Sequence, residues 1–263
     1  MHTKRLIVSA ILVPFLYLVV MYLPSEYFFF LIVVLSSLAL LEFYTMFGLD
    51  GLMKYVGMFW GAALLAVFYS SRGHFAAAVF LSLLIIMLVR LLFRGDPSSS
   101  RRDVSTTLLG LLYVPGLLTF QLSLEKASPV WIIFLYASVW AADSLAYYVG
   151  KGIGRRKLYR QMSPNKTVEG AVGSVVGGIL GALFINAVLL RLVSLSQVIL
   201  LGFSIGVVTI LGDLVESMFK RDAGVKDSSS IIPGHGGVLD KIDGVTFAGP
   251  VLYWFCLGLG LIR

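Results

Sequence analysis

Long apolar runs dominate this chain and decide what it can fold into. The runs cover roughly 5–23, 27–47, 54–71, 74–93, 105–123, 129–149, 170–190, 197–219 and 245–262. A helix of about 20 apolar residues spans the hydrocarbon core of a bilayer, and these runs lack the alternation typical of a membrane β-barrel. We therefore predict an all-α integral membrane protein with about nine transmembrane helices.

Charged residues are rare, so their positions are informative. Of the 263 residues, 58% are hydrophobic and 13% are charged, and the formal net charge is +7. If the N-terminus is cytoplasmic and each predicted helix crosses once, 17 Lys and Arg residues face the cytoplasm and 4 face the other side. Because basic residues favour cytoplasmic loops, we predict this orientation in a bacterial inner membrane or an equivalent one. Membrane lipid, not nucleic acid, is the expected partner.

Polar residues divide the chain into two halves. Residues 1–128 contain about five predicted helices, for which we expect a role in packing, in dimer formation or in lipid access. Residues 129–263 contain about four predicted helices and two polar loops, at about 150–169 and 220–244. We predict the catalytic region in this second half, on the cytoplasmic side, and leave a homodimer open.

Acidic residues inside the predicted helices are few, and each is a candidate for function. One helical face carries four polar residues at the spacing i, i+3, i+4 and i+7: Asp213, Glu216, Ser217 and Lys220. A bound cation would explain why acids outnumber bases there, and an internal ion-pair network is the alternative. Asp143 is a second candidate, against the alternative of a hydrogen-bonded interhelical acid. For Glu42, snorkelling or pairing with a basic loop residue explains its position as well as function does.

The loop at 220–244 combines three kinds of group that phosphate chemistry needs. They are the bases Lys220, Arg221 and Lys226, the glycines Gly234, Gly236 and Gly237, and the acids Asp227, Asp240 and Asp243. Bases neutralise phosphate oxygens, glycines let backbone N–H groups approach an anion, and carboxylates suit Mg²⁺. The set indicates metal-assisted phosphoryl or nucleotidyl transfer, against the alternative of a solvated charged loop.

The stretch from Ser217 to Asp243 resembles the signature of the phosphatidate cytidylyltransferases, also called CDP-diacylglycerol synthases. The matching residues are Ser217, Lys220-Arg221, Lys226-Asp227, Pro233-Gly234-His235-Gly236-Gly237 and Asp240-Lys241-Ile242-Asp243. Two upstream stretches, 143–147 and 163–170, are similar to further motifs of that family, so the resemblance covers roughly 140–250. The sequence departs from the signature at Lys241, where the family usually has Arg. The charge is kept there, but the bidentate geometry of Arg is lost.

This resemblance implies a membrane enzyme that converts CTP and phosphatidic acid to CDP-diacylglycerol and pyrophosphate. It also implies Mg²⁺, with a second cation left open. The metal ligands that we predict are Asp143, Asp213 and Asp240. Asp227 and Asp243 are expected to be ligands or their partners, and Lys220, Arg221 and Lys226 to hold phosphates. His235 would orient a phosphate or act as a general acid, with a structural role as the alternative. The expected substrate-binding residues are Lys166, Glu169, Ser217, Gly234, Gly236, Gly237 and Lys241.

Two other functions remain open from the sequence. A polyisoprenoid kinase or another membrane phosphotransferase would use the same combination of metal and bases. An ion transporter would place its charges near the middle of the membrane. In this sequence the charges cluster on one side, which favours an enzyme at the membrane surface.

Overall fold

The computed structural model describes residues 2–49, 51–191, 193–229 and 236–262, with side chains described from residue 12 onward. Most of these residues are helical. The helices are α1 (His2–Tyr22), α2 (Ser25–Met46), α3 (Leu52–Ser70), α4 (Phe75–Phe93), α5 (Ser100–Leu111), α6 (Leu117–Ala127), α7 (Pro129–Ile153), α8 (Val168–Ile185), α9 (Leu195–Asp222) and α10 (Leu239–Gly258). A π-helical stretch, Leu112–Gly116, joins α5 to α6, and a second one, Asn186–Leu190, extends α8.

Among the described residues, seven helical segments are long and apolar enough to cross a membrane. They are Ser25–Met46, Leu52–Ser70, Arg72–Phe93, Ser100–Ala127, Pro129–Ile153, Val168–Leu190 and Leu195–Asp222. The chain is thus an α-helical multi-pass membrane protein, as its apolar runs predict. Helices α1 and α10 occupy the first and last predicted positions but are not among the seven, so nine crossings and their orientation stay predictions.

A small β-hairpin, which the sequence analysis did not predict, lies between α7 and α8. Strand β1 (Lys157–Tyr159) pairs antiparallel with β2 (Ser163–Thr167), and Tyr159 lies opposite Ser163. The Thr167 hydroxyl then caps α8 by accepting a hydrogen bond from the Gly170 N–H at 3.1 Å. This hydroxyl satisfies one of the amide groups that a helix N-terminus leaves unpaired. The segment 150–169, predicted as a loop, therefore consists of the end of α7, the β-hairpin and the first residues of α8.

Glycines let α8 pack tightly between α7 and α9. A Cβ atom on Gly177 would lie 2.8 Å from the Cα of Ala142 in α7, and one on Gly178 would lie 2.9 Å from the Cα of Gly206 in α9. Real side chains do not fit at these distances. Small residues at such spacing are typical of close helix packing inside membranes. The three helices therefore meet backbone to backbone and form one side of the site described below.

An aromatic cluster joins the N-terminal helices to α9 and α10. The ring of Phe219 in α9 lies 5.7 Å from Phe43 in α2 and 5.4 Å from Tyr113 in the π-helical stretch, measured between centroids. Tyr113 also lies 5.9 Å from Phe247 in α10. Ring pairs at these separations stabilise a contact beyond the area that they bury. The aromatic cluster therefore packs α9 and α10 against the first half of the chain.

A buried ion pair organises the connection between α4 and α5. Arg90 Nε lies 2.7 Å from Asp103 Oδ2, and both side chains are buried. Other guanidinium N–H groups of Arg90 donate to the carbonyl oxygens of Arg94, Asp96 and Ser98 at 2.7 to 2.9 Å. Arg90 thus supplies hydrogen-bond donors to the backbone carbonyl groups of the segment that connects α4 to α5.

Candidate functional site

A polar cavity of about 730 Å³ opens between α7, α8, α9, α10 and the β-hairpin. Its size is within the range of about 300–1,000 Å³ that is typical of ligand sites. The charged residues that line it are Asp143, Lys151, Lys166, Asp213, Glu216, Lys220, Asp227, Asp240, Lys241 and Asp243. Sequence analysis placed most of these residues in one site, and the fold brings them to one cavity.

Three carboxylates from two helices meet at this cavity. The carboxylate oxygens of Asp213 and Glu216, one turn apart on α9, and of Asp243 on α10 lie within 4.8 Å of one another. Glu216 is 1% exposed, and its Oε1 has no hydrogen-bond partner among the described residues. Like charges this close repel each other unless a proton or a cation lies between them. The donor set consists of hard oxygens, so the cluster fits a divalent cation such as Mg²⁺.

Lys220 connects the acidic cluster to the start of α10. Its Nζ lies 2.6 Å from Asp240 Oδ1 and 3.3 Å from Glu216 Oε2. The lysine side chain is itself nearly buried, which strengthens both attractions by excluding water. An ion-pair network on this face of α9 was the alternative to a cation. The structure contains the ion pairs of Lys220 with Glu216 and Asp240, and beside them the carboxylate cluster that could hold a cation.

Asp240 accepts hydrogen bonds from the loop that precedes α10. Its Oδ2 accepts from the Gly237 N–H at 2.7 Å, from the Ser228 N–H at 3.0 Å and from the Ser228 hydroxyl at 2.9 Å. Burial acts to raise the pKa of Asp240, but the Gly237 N–H and the Lys220 ammonium outweigh it and lower the pKa to about 2. Asp240 is therefore an anion at ordinary pH. Its role as a metal ligand stays a prediction, since the cluster of three carboxylates contains Asp243 in its place.

The β-hairpin contributes a base to the same site. Lys166 Nζ, at the end of β2, lies 2.6 Å from Asp213 Oδ2. Its neighbours Asn165 and Thr167 also line the cavity. The predicted contact of Lys166 with a nucleotide stays a prediction, but the lysine lies where a bound phosphate would approach the acids.

Other predicted site residues lie on the cavity wall or beside it. Asp143, Asp227 and Lys241 line the cavity, each with an exposed side chain. The Ser217 hydroxyl is buried and lies 3.5 Å from Asp213 Oδ1. Gly236 has a φ of +81°, a conformation that glycine adopts without strain.

Three predicted residues lie away from the cavity lining and contact the polypeptide or solvent. Arg221 donates from Nε to the Met162 carbonyl at 3.2 Å and thereby ties α9 to the hairpin turn. Glu169 accepts hydrogen bonds from the N–H groups of Arg155 and Arg156, with a shortest distance of 3.0 Å. Lys226 is exposed. The predicted residues Gly234 and His235 lie outside the described part of the chain.

Glu42 contacts the start of α10, and the sequence left its role undecided. Its carboxylate comes from α2, yet it accepts hydrogen bonds from the Val238 and Leu239 N–H groups at 2.9 and 2.8 Å. It also accepts from the hydroxyl groups of Ser228 and Ser229 at 3.0 and 2.7 Å. The signal in the sequence was an acid in an apolar helix. Its partners were not predictable, because almost 200 residues separate them from Glu42.

The arrangement suits the handling of a polyphosphate. Acidic oxygens can hold a cation, and Lys166, Lys220 and Lys241 surround them with positive charge. Such a combination binds phosphate oxygens and neutralises the charge that develops during transfer of a phosphorus group. Three of the helices that build the cavity, α7, α8 and α9, lie in segments long and apolar enough to cross a membrane.

Comparison with known proteins agrees with this chemistry. The family model described as "Cytidylyltransferase family" matches residues 3–258. A phosphatidate cytidylyltransferase of Haemophilus influenzae is 39% identical over 64% of this chain and 64% of its own length. One from Bacillus subtilis is 36% identical over 67% of this chain and 65% of its own length. One from Synechocystis is 48% identical over 47% of this chain and 42% of its own length.

The chain thus spans between about two fifths and two thirds of the length of these relatives. The family match is much longer and takes in all of α2 to α10, including the hairpin. Every element that contributes a residue to the cavity therefore lies within it. The chain belongs to the cytidylyltransferase family.

Proposed function

We propose that this protein is a phosphatidate cytidylyltransferase, which transfers CMP from CTP to phosphatidic acid. The single observation that carries this proposal is the cluster of Asp213, Glu216 and Asp243 beside Lys166 and Lys220, in one cavity between membrane helices. The names of the related phosphatidate cytidylyltransferases supply the substrate class. The products would be CDP-diacylglycerol and pyrophosphate, in phospholipid biosynthesis.

The proposed reaction needs no nucleophile from the protein. An oxygen of the lipid phosphate attacks the α-phosphorus of CTP and forms a new P–O bond. The bond from the α-phosphorus to the bridging oxygen of the β-phosphate breaks, and pyrophosphate leaves. Both reactants are anions, so neutralising and aligning them is the main task of the site. Lys166, Lys220 and Lys241 line the cavity and are suited to that task.

Asp213, Glu216 and Asp243 would hold the Mg²⁺ ion, and Asp143 lies on the same cavity wall as a further ligand candidate. When bound, the ion neutralises phosphate oxygens as a Lewis acid. We keep Asp240 among the proposed ligands, although its carboxylate accepts hydrogen bonds from Lys220, Ser228 and Gly237 in the structure. A second cation is left open.

Orientation and organisation belong to the same proposal. We place the site at the cytoplasmic side of a bacterial inner membrane, with nine crossings, on the support of the 17 basic residues assigned to that side. Residues 129–263 would carry the chemistry, and residues 1–128 would pack against them and support lipid access or a dimer. The hydrogen bonds from the Val238 and Leu239 N–H groups to Glu42, a residue of the first half, support the proposal that the two halves act together.

Purified protein incubated with labelled CTP, phosphatidic acid and Mg²⁺ tests the proposal. We expect CDP-diacylglycerol and pyrophosphate in equal amounts, and loss of both with a chelator. Asp213→Ala and Asp240→Ala should abolish formation of the products in folded protein, whereas near-normal turnover in both variants contradicts the assignment. A phospholipid and a nucleoside diphosphate as products would instead show a membrane phosphotransferase.

A further inference from the structure

Glu42 joins the first half of the chain to the proposed catalytic half. We propose that it is a positioning residue, which holds the start of α10 and the loop before it so that Asp243 meets Asp213 and Glu216. The inference rests on the proposed function for its kinetic consequence. Its structural content, the hold on α10, is independent of the reaction.

Each oxygen of the Glu42 carboxylate has two donors. Oε1 accepts from the Ser229 hydroxyl at 2.7 Å and the Val238 N–H at 2.9 Å. Oε2 accepts from the Ser228 hydroxyl at 3.0 Å and the Leu239 N–H at 2.8 Å. Two of these donors are backbone amides at the beginning of α10, which the helix itself leaves unpaired. A negative charge at that end of a helix is also favoured by the helix dipole.

A second carboxylate holds the same loop from the other side. Asp240 Oδ2 accepts from the Gly237 and Ser228 N–H groups, and the single proton of the Ser228 hydroxyl is shared between Asp240 at 2.9 Å and Glu42 at 3.0 Å. Gly237 lies between them, where an added Cβ would collide with Glu42 and the Ser228 hydroxyl. The two carboxylates thus fix Ser228 and Gly237, on either side of the loop.

This arrangement decides where Asp243 lies. Asp243 follows Asp240 by three residues, about one turn of α10, so its carboxylate moves with the N-terminus of that helix. The cluster requires oxygens from α9 and α10 within 4.8 Å. Releasing the start of α10 would therefore separate Asp243 from the two acids on α9.

Burial shows that Glu42 is more than a packing residue. It is 2% exposed, and an unpaired carboxylate at such a place would be strongly destabilising. All the hydrogen bonds described for its carboxylate go to the loop or to α10. An apolar side chain would fill the space, but it would leave two backbone amides without an acceptor.

Glu42→Gln is the informative variant, because it keeps the size and replaces one oxygen by an N–H₂ donor. In either orientation of the amide, that donor would face a backbone N–H, which is also a donor and cannot accept a hydrogen bond. Glu42→Asp keeps the charge with a shorter reach. Glu125→Gln is the matched control, since Glu125 is also a buried acid of the first half and accepts from the Ser25 hydroxyl at 2.7 and 2.9 Å, away from the cavity.

Three measurements on the full chain in detergent decide the matter: amide hydrogen exchange of the segment 236–243, the Mg²⁺ concentration for half-maximal turnover, and the thermal unfolding midpoint. For Glu42→Gln we expect exchange at Val238 and Leu239 to be at least ten times faster. We also expect the half-maximal Mg²⁺ concentration to be about tenfold higher, with turnover partly recovered at high Mg²⁺, as for loss of one charge-assisted hydrogen bond. Glu42→Asp should fall between this variant and the wild type, and Glu125→Gln should match the wild type in exchange and Mg²⁺ dependence.

Unchanged exchange at 236–243 in Glu42→Gln overturns the proposal. So does a lower unfolding midpoint with an unchanged half-maximal Mg²⁺ concentration, since that result shows a merely structural role. If the wild type forms no CDP-diacylglycerol, the proposed function fails. The exchange comparison still decides whether Glu42 holds α10, so the two failures are distinguishable.

Discussion

Lys166 Nζ and Asp213 Oδ2 lie 2.6 Å apart and join the β-hairpin to α9 at the acidic cluster. The lysine is mostly buried, with 20% of its side chain exposed. A cation or a phosphate that enters the cavity must share or replace this ion pair. We therefore propose Lys166 as the residue through which the hairpin would contact a bound nucleotide.

Replacing Lys166 by Met should lower kcat/KM for CTP by roughly 10- to 100-fold, because one charge-assisted contact to a phosphate is lost. Steady-state kinetics at saturating phosphatidic acid measure this effect. Lys126→Met, at an exposed position near the end of α6, is the matched control and should keep wild-type kinetics. Equal kcat/KM in both variants would contradict a phosphate contact by Lys166.

Substitutions of Asp240 and Asp243 should have different effects on the unfolding midpoint. Asp243→Asn removes a member of the cluster, so we expect turnover to fall by at least about 10³-fold, with the unfolding midpoint kept. Asp240→Ala should abolish turnover and also lower the unfolding midpoint, because nearly buried Lys220 loses its partner at 2.6 Å. Breaking such a pair costs about 3 kcal/mol. Thermal unfolding and product assays on the two variants, side by side, measure the difference. A fully stable Asp240→Ala protein would show that the ion pair contributes little.

Arg90 and Arg94 allow the strength of a buried ion pair to be compared with that of an exposed one. Both contact Asp103, but the Arg90 side chain is 5% exposed and that of Arg94 is 44% exposed. Arg90→Ala should lower the free energy of unfolding by about 3–5 kcal/mol, and Arg94→Ala by less than about 1 kcal/mol. Unfolding by denaturant in detergent gives both values. Similar losses would mean that burial does not decide the strength of these contacts.

Lys241 is where the sequence departs from the signature that it resembles, and its exposed side chain lines the cavity. Lys241→Arg should raise kcat/KM by a few-fold, because a guanidinium contacts a phosphate through two donors and an ammonium acts as a point charge. Lys151→Arg, at another exposed lysine of the same cavity, is the comparison and should change kcat/KM less. A loss of activity in Lys241→Arg would show that the site is fitted to lysine.

Helical periodicity explains why part of the site could be predicted. Asp213, Glu216 and Lys220 share a face because they lie on one continuous helix, so their spacing alone brings them together. Asp243 joins them only through the packing of α10 on α9, which depends on the contacts of both helices with the rest of the chain. For that reason the sequence favoured Asp240 over Asp243 as a metal ligand, whereas the carboxylate cluster of the structure contains Asp243.

The hairpin and Glu42 show what local patterns do not reveal. β1 and β2 have three and five residues, too short for a clear alternation of apolar and polar residues, so the segment resembled a polar loop. Glu42 has four donors that come from positions 186 to 197 residues away in the chain. No spacing rule covers such a distance, and only the folded chain identifies the partners.

The glycine contacts of α8 have a mechanical consequence. Where backbones touch, as at Gly177 against Ala142 and Gly178 against Gly206, a helix cannot roll or slide without a steric collision. Helices α7, α8 and α9 therefore behave as one stiff wall. Any opening and closing of the cavity during a catalytic cycle would therefore involve the β-hairpin and the start of α10, which border these three helices.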